Sequence, residues 1–225
     1  MKIRLTDSET AGFDGGIVEI GSIEIDKDGK ILSTYETLVN PEREIEIGAM
    51  VVHNITNEMV VEAPTFAQVK HNITDADVSI AHNSSFDARV LEMKDYKWWC
   101  TLGASRLVYP ELKCHKNMSL FYELGLHKEF SFDGTPHRAL FDCHVTLELV
   151  RDMMRKMDMD LLELMSYVED MAGEKICQYK KYKGLPWKIV LETDEGYCRW
   201  CVENSLKKGP EQAVREWLVK RLGQE

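Results

Sequence analysis

The chain has 225 residues, 44% of them apolar, and a formal net charge of −10. It is long enough for one sizeable core with a small appendage, and no stretch approaches the ~18 uninterrupted apolar residues of a membrane-spanning helix. The acidic balance argues against general affinity for nucleic acid, yet it is uneven: residues 1–173 carry 17 basic and 30 acidic side chains, and residues 174–225 carry 11 and 8.

The opening MKIRLTDSET lacks the apolar core of a secretory signal, so a cytoplasmic protein with no membrane partner is expected. In KIRLT, Ile3 and Leu5 alternate with polar residues, a strand pattern. Further strands are predicted at 17–25 and 31–39, joined as a hairpin by the turn DKDGK, with Pro41 stopping the third. EIGAMVVHNIT and TFAQVKHNIT read as short helices with a loop between them, DVSIAHN as a fourth strand, SFDARVLEM as a helix, KWWCT as a short strand, and MSLFYELG as a helix ended by Gly125. After Pro136, Leu140, Cys143, Leu147, Val150 and Met154 repeat at helical spacing and predict one buried stripe. A further helix is expected near 160–171, closed by Gly173. The composition then shifts, which divides the chain into residues 1–173 and a small C-terminal module, 174–225. The order is α/β, with an antiparallel hairpin in the sheet.

Asp7 and Glu9 lie two apart and share a strand face with Ile3 and Leu5. They are expected at the C-terminal end of the first strand, the edge of an α/β sheet where ligands sit. Carboxylates roughly 6–7 Å apart repel unless a cation lies between them. Asp87 follows the fourth strand in the first turn of a helix, and Asp142 stands five residues after His137, on the flank of the striped helix. Each of these acids alone is also what a solvated turn or helix start would show.

Together, D-x-E-T, N-x-x-F-D and H-x-x-x-x-D resemble the DEDD-type 3′→5′ exonucleases of the histidine subclass. The resemblance covers roughly residues 1–170, including the stretch VVHNITNEMVVEAPTF, and implies a ribonuclease-H-like mixed sheet flanked by helices. It assigns Asp7, Glu9, Asp87 and Asp142 to two divalent cations, Mg²⁺ with Mn²⁺ as a substitute, and His137 to the role of general base. It also implies that Asn83 and Phe86 shape the turn after the fourth strand, that Thr10 lies by the terminal nucleotide, and that His53 packs there. Hard cations prefer oxygen ligands, which accounts for an acid-lined site in an enzyme whose substrate is itself an anion. Pro136 suggests a helix starting beside His137, and a helix N-terminus disfavours the imidazolium.

The tail YKKYKGLPWKIVLETDEGYCRW resembles a small C-terminal module found in a bacterial branch of the family, although Lys180 and Glu195 stand where that module commonly has glycine and proline. In QYKKYKG, Lys181 and Lys183 suit phosphates and Tyr182 a base, the alternative being a basic hairpin with its tyrosines packed inward. Trp187, Trp200 and Trp217 are expected to form the module's core, and Cys198 and Cys201 to share a helical face. The implied function is DNA digestion from 3′ ends with release of nucleoside 5′-monophosphates. The acids do not read a 2′-hydroxyl, so RNA trimming stays open as an alternative, as does a proofreading subunit held by a polymerase. Oligomeric state is not written in the chain.

Overall fold

The structure is a computed structural model and describes residues 1–13, 15–206 and 211–223. Five strands form one mixed sheet: β1 (Ile3–Gly12), β2 (Gly15–Ile25), β3 (Ile31–Leu38), β4 (Val78–Ala81) and β5 (Trp98–Cys100), in the order β3-β2-β1-β4-β5. The first three form an antiparallel meander, and β4 and β5 run parallel to β1. This is a mixed α/β sheet with an antiparallel hairpin, as expected.

The strand carrying the acids is longer than KIRLT. β2 pairs with it as far as Gly12, while β4 pairs only with Ile3, Arg4 and Leu5. Asp7 and Glu9 therefore lie inside β1, beyond the point where its parallel neighbour ends. That mismatch in strand length opens the crevice at the sheet edge.

Short helices α1 (Ile47–His53), α2 (Asn57–Val60) and α3 (Phe66–Val69) follow β3. Of these, α2 falls in the segment expected as a loop. Helix α4 (Ser84–Val90) follows β4, and α5 (Thr101–Val108) follows β5. α5 has no clear signal in TLGASRLV, where Gly103 weakens helix propensity. Helix α6 (Asn117–Glu123) then ends near Gly125, which takes φ +74°.

Helix α7 (Ala139–Met157) starts three residues later than Pro136 suggests. Its stripe of Leu140, Cys143, Leu147 and Val150 is buried against Ile3, Leu5, Ile23 and Ile25 of the sheet. Phe141 and Val145 bury a second flank against Phe121 of α6. Gly21 of β2 lets the helix come close, because a Cβ there would stand 2.3 Å from the backbone of Ala139 and Leu140. Gly21 pairs with Asp7 in the β1–β2 ladder. The close approach that packs α7 thus brings its first turn over the acids of β1.

Helices α8 (Leu161–Glu174), α9 (Trp187–Thr193), α10 (Glu195–Asn204) and α11 (Gln212–Leu222) complete the described chain. Gly173 lies within α8 and does not cap it; its missing Cβ makes room for the indole of Trp217. Trp187 and Trp217 join Cys198, Cys201, Val214 and Leu218 in a second apolar cluster. Trp200 departs from the expected core: it is 52% exposed and stacks on Tyr197. A Cβ at Gly103 of α5 would stand 3.3 Å from Ala213 of α11, so the glycine leaves room for the last helix to pack on the earlier part of the chain.

Candidate active site

Three chain segments converge on the part of β1 that β4 leaves unpaired. The strand supplies Asp7 and Glu9, and its ladder with β2 slips between Glu9 and Thr10. Asp87 projects from the first turn of α4 and is buried, with Ser8 Oγ donating to its Oδ1 at 2.9 Å. Asp142 projects from the first turn of α7 and is also buried. His137 precedes that helix, is exposed, and takes a left-handed backbone with φ +64°. Its backbone N–H donates to Asp142 Oδ2 at 3.2 Å.

A ring nitrogen of His137 and carboxylate oxygens of Glu9 and Asp142 lie within 4.8 Å of one another. The strained backbone at His137 fits a functional position, since such conformations cost of order 1–3 kcal/mol and persist only where surrounding structure imposes them. Here the bond to Asp142 and the start of α7 impose it.

The site is held in place by a pair that the sequence patterns did not predict. Glu19 of β2 stands opposite Glu9 in the ladder and is fully buried. Arg138 Nε donates to both of its carboxylate oxygens, at 2.9 and 3.0 Å, and Arg138 Nη2 also pairs with it. Glu19 Oε2 further accepts the Ala139 backbone N–H at 2.8 Å. A carboxylate reaching across the sheet thus serves one of the orphan donors at the N-terminus of α7. The readable signal was an acid in the middle of the apolar strand IVEIGSIEI, on the parity of Ile23 and Ile25.

The electrostatics are those of an anion cage. Burial pushes the Asp7 carboxyl well above the usual carboxylate range, and Asp87, Asp142 and Glu9 push it further. Burial and then Asp142 and Glu19 raise Glu9 to about 9. Burial raises Asp87 to about 7 against the Ser8 bond, and Asp142 to about 6 against His137. Asp142 Oδ1 is buried with no hydrogen-bond partner among the described residues. An anionic oxygen without a donor, amid carboxylates that repel one another, fits a divalent cation bound by oxygen ligands.

Around this cluster, Thr10 is half-buried, Asn83 caps α4 in a left-handed conformation with φ +77°, and Phe86 is half-buried. His53 packs against Thr10. It is 2% exposed, its Nδ1 accepts the Ile55 N–H at 3.0 Å, and its Nε2 lies 3.2 Å from the Thr10 carbonyl. Both nitrogens are committed to backbone, so His53 braces Thr10 from below and offers no polar atom to a nucleotide.

The basic tail segment takes the alternative arrangement, with its tyrosines engaged inside the tail. Residues 176–186 close on an antiparallel bridge, with a 3₁₀ turn at Lys180–Tyr182. Lys181 Nζ and the Tyr182 hydroxyl both meet Asp194, at 2.6 and 2.9 Å, and the Tyr182 ring packs edge-on against Tyr197. Of the three residues expected to touch nucleic acid, only Lys183 is exposed with no partner among the described residues.

An acid cage on the central strand of a ribonuclease-H-like sheet, beyond the reach of its parallel neighbour, defines a metal-dependent nuclease. The family profile for RNase T-type exonucleases matches residues 5–150, and the chain belongs to that family. It is 34% identical over 209 residues to Exodeoxyribonuclease 10 of Escherichia coli (strain K12), covering 93% of this chain and 94% of that one. Among solved structures, exonuclease X in complex with 5′-overhanging duplex DNA superposes with a TM-score of 0.66 at 36% identity. That match covers 73% of this chain and 98% of the other. The zinc-bound form of the E. coli ExoI–ssDNA complex shares the fold, with a TM-score of 0.62 at 15% identity over 77% of this chain and 44% of that one. No helix among the described residues is long and apolar enough to cross a membrane.

Proposed function

We propose that the chain is a divalent-metal-dependent 3′→5′ exodeoxyribonuclease that releases nucleoside 5′-monophosphates from DNA 3′ ends. The observation that carries this is the close group of Glu9, His137 and Asp142, with Asp7 and Asp87 buried near enough to repel one another and Asp142 Oδ1 left unpartnered. The near full-length likeness to Exodeoxyribonuclease 10 supports DNA as the substrate.

In this reading the four carboxylates hold two cations, Mg²⁺ or Mn²⁺, which when bound supply positive charge to both the attacking and the leaving oxygen of the phosphodiester. His137 stands at the mouth of the cage and takes the proton of the attacking water on its ring nitrogen. Asp142 fixes His137 through its backbone N–H, and Ser8 fixes Asp87. Thr10, braced by His53, and Phe86 flank the terminal nucleotide. We place the protein in the cytoplasm, where its buried thiols stay reduced.

The test is digestion of 5′-labelled DNA and RNA oligonucleotides with Mg²⁺. A ladder shortened from the 3′ end of DNA, with nucleoside 5′-monophosphate as product, is expected. Cleavage of RNA alone, internal cuts, or full activity in EDTA would each refute the reading.

A further inference from the structure

A groove of about 710 Å³ opens between the turn after β4, residues 113–117 and helix α11. Its charged lining is Arg89, Arg106, Lys113, Lys116 and Arg215 against one acid, Glu216. In a chain of net charge −10, five cations to one acid along one groove is a marked inversion of sign. The acid is engaged by its neighbours: Gln212 Nε2 donates to Glu216 Oε1 at 3.1 Å, and burial raises its carboxyl to about 7. The cations come from four separate segments, so the positive charge lines the groove and is not gathered at one point.

The groove adjoins the acid cage. Asn83 and Phe86 line it on the helix that carries Asp87. Asn117 lines it too, and its Nδ2 donates to the Asp142 carbonyl at 3.4 Å and to Thr146 Oγ1 at 2.9 Å. On the far side, Gln212 Nε2 reaches Asn83 Oδ1 at 3.4 Å and Cys100 Sγ at 3.2 Å. The last helix is thereby joined to the turn that positions α4.

We infer that this groove receives the nucleic-acid strand behind its 3′-terminal nucleotide, and that Arg215 binds the phosphates of that strand together with Lys113 and Lys116. The inference rests on the nuclease reading above. It moves the nucleic-acid binding of the C-terminal part from the Lys181–Lys183 segment to α11. Arg215 also lies outside residues 5–150, so this phosphate ligand comes from beyond the stretch that the family profile matches.

The test uses the full chain carrying Asp7→Ala, so that oligonucleotides stay intact, and fluorescence anisotropy with 5′-labelled oligothymidylates of about 3 and about 12 nucleotides. Affinity rises with length in the parent. Adding Lys113→Ala, Lys116→Ala and Arg215→Ala is expected to remove most of that rise, at least tenfold at about 12 nucleotides. The slope of log K against log salt should fall by about 0.7 for each phosphate left without its cation, about 2 in total. Arg215 Nε also donates to the Val202 carbonyl at 3.3 Å. If its removal unfolds the chain, Lys113→Ala with Lys116→Ala alone is read, with about 1.4 expected in the slope. An unchanged length dependence and salt slope overturns the groove. Digestion of the same oligonucleotides by the wild-type chain with Mg²⁺ is scored separately. Activity with an unchanged slope removes the groove and leaves the nuclease; a lost length dependence without activity does the reverse.

Discussion

Helix α4 separates two surfaces of opposite sign. Its Asp87 closes the acid cage with Asp7, Glu9 and Asp142, while its Phe86 and Arg89 line the basic groove. The two surfaces solve different problems with one anionic substrate. At the reacting phosphate, carboxylates are useful only because cations stand between them and the substrate. Behind it, in the inferred groove, lysine and arginine would meet phosphate directly. The net charge of the chain therefore says little about binding, since it averages over the two.

Removing one wall of the cage is the harshest way to break this arrangement. Asp7→Ala is expected to bring nuclease activity below detection while circular dichroism stays that of the wild type. EDTA should do the same reversibly, with Mg²⁺ or Mn²⁺ restoring the rate. Next comes His137→Ala, with a kcat loss of about 10²–10⁴-fold and little change in KM, measured on a single-stranded oligonucleotide. A KM effect in place of the kcat effect would make His137 a binding residue and leave the proton without an acceptor. Glu19→Gln is milder. It keeps the shape of the side chain but removes the charge facing Arg138 and Ala139, so a stability lower by about 1.5–3 kcal/mol in denaturant titration is expected. Activity should fall with it, because the start of α7 carries both His137 and Asp142. Full activity in Glu19→Gln would show that the first turn of α7 holds its place without the pair.

The cage was readable because its residue types have few other reasons to recur in that order, and because strand parity put Asp7 and Glu9 on the face of Leu5. What parity could not supply was register. Glu19 lies opposite Glu9 only once the β1–β2 hairpin is known to extend to Gly12 and Gly15, and the motif LTDSETAGF reads as the end of a strand. Helix α5 leaves no clear pattern since its stability comes from packing against α7 and α11, not from its own residues. The groove was unreadable for the same reason: Arg89, Lys113 and Arg215 are far apart in the chain, and the packing of α11 on α5, α8 and α10 brings Arg215 to the groove. The run QYKKYKG stands out as a local concentration of charge, yet Lys181 is paired with Asp194 within its own module.

The smallest expected effect probes the cage without altering a residue. In the metal-free protein, Asp142, Asp87 and Glu9 have folded-state values raised to about 6, 7 and 9, above their unfolded ones. A carboxyl raised by folding binds more protons in the native state than in the unfolded state. Its contribution is greatest at low pH and is lost as pH climbs through the folded value. Thermal midpoints in EDTA should therefore fall from about pH 4, where the unfolded carboxyls begin to ionise, up to about pH 9, by about 2–4 °C for each kcal/mol. Divalent cations compete with those protons for the same oxygens, so the gain in midpoint on adding Mg²⁺ should widen across the same window. Lys181→Ala, which breaks an exposed ion pair worth about 0.2–1 kcal/mol and the contacts of the ammonium with the Tyr182 and Tyr197 rings, should leave that widening as it is. If Mg²⁺ raised the midpoint equally at both ends of the range, the cation would be binding somewhere other than among these carboxylates, and the repulsion inside the cage would need another partner to relieve it.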